Sequence, residues 1–460
     1  MPISKNQTGK SKARKMFRAA LLTVKWLFFL GLICGFLGGG AAFGYVSALV
    51  RDDPVRPKNE ILQKIEENAI TGFVYFNDDT PVGQLRSEED RRPITMKELP
   101  ELVKNAVLAI EDDEFFEHPG IDVKSLIRAV SQKLTNADVQ TGGSTITQQL
   151  ARRVFLTLDR SDNRKAKEIF LALRLERLLT KDQILLAYLN KIPYGNGSSG
   201  YNLYGIKAAA KGIFDIDDLN SLNVAQAAYL AGLPQLPSKY SAFTSRGELD
   251  EEGLANAIER MKLVLKRMYE EGVLTQQQYE EALAFDIRGS LAEPKPKAYN
   301  TYPYLMLEVE RQAAEILARQ ANPTLDTSTE KGKQEYAEAL KQAREDLLRS
   351  GYHIYTTIDK TLYDEMRAIA ENPENFTPDD PEKGMELVAA IAIENKTGAI
   401  LGMIEGRDFY KEQMNLATQM TRQPGSTMKP LAAYIPAIEK GAVMPATIID
   451  DVPMILKDGQ

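Results

Sequence analysis

The chain has 460 residues, 43% hydrophobic and 26% charged, with a mean hydropathy of −0.30, too polar a balance for a protein that crosses a membrane many times. At ~150 residues per domain the length allows about three units, each long enough to bury a core. Two histidines, His118 and His353, cannot build a histidine-rich zinc site, and the single cysteine, Cys34, excludes an internal disulfide or a cysteine-based metal cluster. The available chemistry is that of carboxylates, hydroxyls, lysines and arginines.

The net charge of −7 is unevenly distributed. Residues 1–25 hold Lys5, Lys10, Lys12, Arg14, Lys15, Arg18 and Lys25 with no acid, leaving a net −14 on the rest of the chain. That asymmetry suits a membrane-orientation signal and argues against nucleic acid as a partner. Next comes an uncharged run, Trp26 to Val50, ended by Arg51, Asp52 and Asp53. Its length is enough to cross a hydrocarbon core ~30 Å thick. The basic flank predicts a single-pass anchor over 26–50, with the 1–25 tail cytoplasmic and all that follows on the outer face. A cleaved signal peptide and a buried core helix compete with this reading, but the run is longer than a typical signal h-region.

Residues 70–86 read as an extended hairpin turning at Asn77-Asp78-Asp79. Apolar spacing then predicts helices over 97–116, 122–134, 144–157, 163–179, 181–191 and 223–233, an α-rich domain. Residues 246–350 read as a helical connector, with charged amphipathic helices near 251–271 and 276–285, a capping box Thr275…Gln278, and a further helix after Pro303. From 351 an α/β unit begins: a strand at 351–359, a helix at 360–372, and strands 386–394 and 399–405 joined at Asn395-Lys-Thr-Gly398.

Three constellations in the helical region carry chemistry. Glu111-Asp-Asp-Glu-Phe-Phe-Glu-His118-Pro-Gly120 sets acids against two aromatics at a helix end. Desolvation and like-charged neighbours raise a carboxyl pKa in such a setting, which tunes a general base or acid. The bland account is a solvated acidic turn. Gly142-Gly143-Ser144-Thr145-Ile146-Thr147-Gln148-Gln149, followed by Arg152 and Arg153, offers free N–H groups and cations to an anion, or is simply a capped basic helix. Arg164 and Lys165 lie four and three residues before Glu168, which makes either a salt-bridged surface or half of a diphosphate site.

In this order the three resemble the motifs of the family 51 peptidoglycan glycosyltransferase domain of class A penicillin-binding proteins: E-D-x-x-F-x-x-H-x-G, G-G-S-T-I-T-Q-Q and R-K-x-x-E. Ile184-Leu-Leu-Ala-Tyr-Leu-Asn190 and Leu230-Ala-Gly232-Leu-Pro234 extend the match. The resemblance implies a lysozyme-like, α-rich domain over 66–245 that polymerises lipid II into β-1,4 glycan with inversion. It implies Glu111 as general base and Glu168 as a second carboxylate that assists the diphosphate directly or through a divalent cation. Arg152, Arg164 and Lys165 would hold that diphosphate, and Gly143, Ser144, Thr145, Gln148 and Gln149 would line the cleft. No cofactor is required, although Mg or Mn at the diphosphate fits the family. Implied partners are lipid II, the lipid-linked glycan and the membrane, with other wall-synthesis proteins as candidates. Two departures stand out: arginine at 152 where many relatives have lysine, and a longer segment Ser198–Tyr204 before Gly205.

Arg422-Gln-Pro-Gly-Ser426-Thr-Met-Lys429-Pro430 resembles the acyl-enzyme motif of penicillin-binding transpeptidases, which bind β-lactams and cross-link stem peptides, with Ser426 as nucleophile and Lys429 as its base. Pro430 is tolerable only in a first helical turn, which places Ser426 at a helix start. Ser328-Thr-Glu-Lys331 fits the four-residue pattern too, without the context. Ser161-Asp-Asn163 and Lys396-Thr-Gly398 match later motifs of these enzymes but precede the nucleophile, so both are set aside. The expected whole is multidomain: a transmembrane helix, the glycosyltransferase domain, the connector, and at 351–460 the N-terminal part of a transpeptidase, incomplete and unable to acylate. Competing readings are a muramidase-like hydrolase, built on the same glutamate, and a wall scaffold or glycosyltransferase whose C-terminal part is inert.

Overall fold

The computed structural model describes residues 7–49, 51, 56–124, 144–156, 162–450 and 452. The predicted helix 122–134 therefore lies almost wholly outside the described residues, as do Gly142, Gly143 and Ser161. The chain forms two units: residues 1–75 with 79–356, and 76–78 with 357–460.

In the first unit α1 is Gln7–Leu49 and α2 Lys58–Glu66. Strands β1 (Phe73–Tyr75), β2 (Pro81–Gln84) and β3 (Glu89–Arg91) follow, then α3 (Glu101–Glu111), α4 (Ile146–Phe155), α5 (Asp162–Leu178) and α6 (Lys181–Lys191). Next come β4 (Pro193–Asn196), β5 (Asn202–Tyr204), α7 (Ile206–Phe214), α8 (Val224–Gly232), α9 (Glu251–Glu270) and α10 (Gln276–Ala284). The unit closes with α11 (Pro303–Ala321), α12 (Glu330–Arg349) and β6 (His353–Tyr355). One sheet has the order β2-β1-β6, with β1 antiparallel to β2 and parallel to β6, and a second the order β3-β5-β4.

One local device starts many of these helices. Thr145 with Gln148, Thr180 with Gln183, Asn223 with Gln226 and Thr275 with Gln278 each form a reciprocal capping box that satisfies two orphan N–H groups. Tertiary packing supplies the rest. Ala225 to Gly232 of α8 are all buried, and the small side chains let α3 and α9 pack against this helix. Val103, Ala106 and Val107 of α3 meet that core, as do Leu254, Ala257, Met261, Val264 and Leu265 of α9.

The packing of α9 revises the connector expected over 246–350. Its apolar stripe, hidden in the sequence by surrounding charge, belongs to the same core as α3 and α8. The single helix expected at 97–116 is instead a 3₁₀ turn, Met96–Glu98, followed by α3. Pro100 bars the helical region to Leu99, which sits at φ −88°, ψ 108°. Helix α7 and strands β3, β4 and β5 were not anticipated. The long segment Ser198–Tyr204 is the turn and return strand of the β4–β5 hairpin.

Among the described residues no helix is long and apolar enough to cross a membrane. Helix α1 covers most of the expected anchor, and its side chains Trp26, Leu27, Phe28, Ile33, Phe36 and Leu37 are exposed.

The second unit holds α13 (Lys360–Glu371) and the antiparallel pair β7 (Ala390–Ile393) and β8 (Ile400–Ile404), whose turn contains Lys396-Thr397-Gly398. Within it Tyr363 donates to the buried Glu405 at 2.7 Å.

Candidate active site

The acidic segment after α3 is folded around one buried pair. The carboxylate of Asp112 accepts from His118 Nε2 at 2.8 Å and from the backbone N–H of Ile146, the first residue of α4, at 2.9 Å. The N–H of Gly120 donates to His118 Nδ1 at 3.1 Å, which fixes the imidazole as the Nε2–H tautomer. Gly120 has φ +93°, and a Cβ there would stand 2.7 Å from Glu176 Cγ, so the turn requires glycine. Asp112 turns away from its own helix to cap another, which ends α3 at Glu111 and fixes α4 beside it.

Thr145 and Gln148 serve this same junction. Thr145 Oγ1 donates to Gly120 O at 2.8 Å and accepts from Gln148 N at 3.1 Å, while Gln148 Oε1 accepts from Thr145 N at 3.1 Å. Both side chains are buried and committed to the cap, so they shape the site without lining a cleft. Gly143 lies outside the described residues.

Glu111 and Gln149 meet directly, Gln149 Nε2 donating to Glu111 Oε2 at 2.6 Å. Tyr188 of α6 donates to Gln149 Oε1 at 3.4 Å, which orients the amide. The second oxygen of Glu111, Oε1, is buried without a hydrogen-bond partner. Burial pushes the Glu111 carboxyl above the ordinary carboxylate range; the Gln149 bond and the charges of Arg260 and Arg152 oppose that rise, and Asp112 reinforces it. The phenols of Tyr188 and Tyr194 are pushed up by the same burial and then by the charge of Glu111.

On the other side stands Glu168, fully buried on α5. Lys165 Nζ lies 3.0 Å from its Oε2, and Arg164 Nε and Arg152 Nη1 lie 3.2 and 3.8 Å from its Oε1. Lys165 also donates to Ser144 Oγ at 2.7 Å. One carboxylate thus gathers three cations from two helices, with a net positive balance that a diphosphate would complete. Arg152 joins the two halves, since its charge also reaches Glu111. Among the described residues no group of three or more His, Cys, Asp or Glu is placed to hold a metal ion. Both Glu168 oxygens face cations, and Oε1 makes no hydrogen bond.

Arg260 of α9 was missed in the sequence because its helix was read as connector. The Asp112–His118 pair lay inside a quoted motif, but its capping role depends on a contact with Ile146 that spacing does not reveal.

In the second unit Ser426 sits in a 3₁₀ turn, Gly425–Met428, and Pro430 opens the next turn, Pro430–Tyr434, in a first-turn position as its ring requires. Ser426 and Lys429 are both exposed.

A transglycosylase family model matches residues 78–269, and a penicillin-binding protein transpeptidase domain model matches 388–460. The first match reaches the end of α9, in keeping with the place of that helix in the core. These two domain matches, in this order and with the relatives that follow, place the chain among the class A penicillin-binding proteins. It is 30% identical to penicillin-binding protein 1A of Clostridium perfringens over 99% of this chain and 53% of that protein. It is 31% identical to penicillin-binding protein 1F of Bacillus subtilis, over 96% and 54% respectively. A solved structure of penicillin-binding protein 1A from Haemophilus influenzae is 18% identical, with a TM-score of 0.39 over 86% of this chain and 56% of that one. The chain spans about half the length of these curated relatives.

Proposed function

We propose that the first unit polymerises lipid II. The 4-hydroxyl oxygen of an incoming disaccharide bonds to the anomeric carbon of a lipid-diphosphate-linked glycan, with inversion. The hydroxyl proton passes to Glu111, the bond from the anomeric carbon to the diphosphate breaks, and its electron pair leaves with the diphosphate. Arg152, Arg164 and Lys165 hold that leaving group, which needs little proton assistance because it departs as a stable anion. Glu168 keeps the cations aimed and acts on the diphosphate through them. The supporting observation is the pairing of a buried carboxylate with one unspent oxygen, Glu111, with a cluster of three cations around one acid.

A muramidase-like hydrolase is the second reading, since a raised carboxyl pKa also suits a general acid. Such an enzyme has no use for the cation cluster. Lipid II incubated with the detergent-solubilised chain separates the cases: polymer supports the proposal, cleavage of preformed glycan supports the hydrolase, and neither product points to a scaffold.

The lipid tail of this substrate confines the reaction to a membrane face. We infer that α1, with its exposed apolar side chains and basic N-terminal flank, is the anchor, and that the catalytic units lie on the outer face. Extraction at alkaline pH and protease access from the outer side test this. In the second unit Ser426 is the proposed acyl-transfer nucleophile and Lys429 its base, cross-linking stem peptides where the transpeptidase domain is complete.

A further inference from the structure

Helices α8 and α9 approach closely at Gly232, the last residue of α8. A Cβ at Gly232 would lie 2.8 Å from Cγ and 3.6 Å from Cβ of Arg260, so the stem of Arg260 runs through the space that the glycine leaves. Arg260 Nε is buried without a hydrogen-bond partner, and so is Glu111 Oε1. The charges of the two residues act on one another.

Several groups face Glu111. They are Asp112 beside it, Gln149 and Arg152 on α4, Tyr188 on α6, Tyr194 on β4 and Arg260 on α9. The tyrosines are neutral in the working range, and Asp112 is an opposing charge. Arg152 is shared with Glu168, and in the proposed reaction with the diphosphate as well. Arg260 faces Tyr240 besides Glu111, and no acid other than Glu111 acts on it to a comparable degree.

We propose that Arg260 is a positioning residue whose charge keeps Glu111 ionised as the general base, and that Gly232 provides the path its side chain follows. The proposal deepens the polymerase reading and rests on it. An anionic diphosphate arriving at Arg152 makes ionisation of Glu111 harder when the base is needed, and a cation outside the diphosphate clamp offsets that effect.

The test compares the wild type with Arg260→Gln, Arg260→Lys and Gly232→Ala, with folding checked by circular dichroism. Two readouts are taken: the pH profile of lipid II polymerisation, and an infrared titration of the Glu111 carboxyl without lipid II, assigned by subtracting Glu111→Gln. Arg260→Gln is expected to move the acidic limb and the carboxyl titration up by about one pH unit, a roughly tenfold loss of rate on that limb. Arg260→Lys should restore most of the wild-type position. Gly232→Ala, which displaces the stem while leaving the cation, should shift the limb in the same direction as Arg260→Gln and decides the matter if that variant does not fold. A limb and carboxyl titration left in place by Arg260→Gln, or by Gly232→Ala, would overturn the proposal. So would a rate lost equally at every pH in the glutamine and lysine variants. Failure of the wild type to make polymer would instead sink the polymerase reading, and the infrared titration would still decide whether Arg260 controls Glu111.

Discussion

The chain carries two sets of candidate catalytic residues in contrasting surroundings. In the first unit Glu111 and Glu168 are withdrawn from solvent and several neighbours are themselves held: Gln149 by Tyr188, Lys165 by Ser144, and the start of α4 by Asp112. In the second unit Ser426 and Lys429 stand exposed on a short turn. A nucleophile and its base can thus match a motif without the low-dielectric, preorganised surroundings that make such groups effective. The contrast accords with placing the proposed polymerisation in the first unit.

Breaking the cation cluster should have the largest effect. Glu168→Ala leaves three cations facing an emptied buried position, and is expected to abolish polymerisation and destabilise the first unit by about 3–5 kcal/mol, read by chemical denaturation. Leu230→Ala, in the middle of the buried α8, is expected to cost ~2–5 kcal/mol by cavity formation while leaving the pH profile unmoved, which separates stability from chemistry.

A smaller effect tests the electrostatics of the proposed base. The carboxyl pKa of Glu111 is raised in the folded state, so the folded chain binds more protons than the unfolded one above the ordinary value of 4.5. Stability is then fully present below that value and falls as pH rises through the folded pKa. Glu111→Gln should therefore raise the melting temperature at pH 8 and have little effect at pH 4; equal shifts at both would refute the burial argument. The smallest expected signal comes from the second unit. A fluorescent β-lactam should label the 460-residue chain at Ser426 weakly or not at all, and robust labelling would erase the contrast between the units.

Much of the first unit was legible because its determinants are local. The Thr275…Gln278 capping box, the hairpin at 70–86 and the Arg164…Glu168 spacing all act within a few residues, and the ordered motifs single out Glu111 and Glu168. What escaped depends on contacts between distant segments. The apolar stripe of α9 was masked by surrounding charge, and its burial follows from the small residues of α8, over which it packs. Thr145 and Gln148 share a motif with Gln149, which contacts Glu111, yet only the folded contact with Gly120 shows them occupied as a cap. Strands β3, β4 and β5 are three or four residues long, too short for alternation to register.

The most direct test of the account is the rate of lipid II polymerisation by the wild type and by Glu111→Gln, measured side by side in detergent at pH 7.5. The account predicts processive glycan from the wild type and a loss of at least about 10²-fold in the variant, the lower end of what a positioned general base contributes. Equal rates in the two proteins would contradict it.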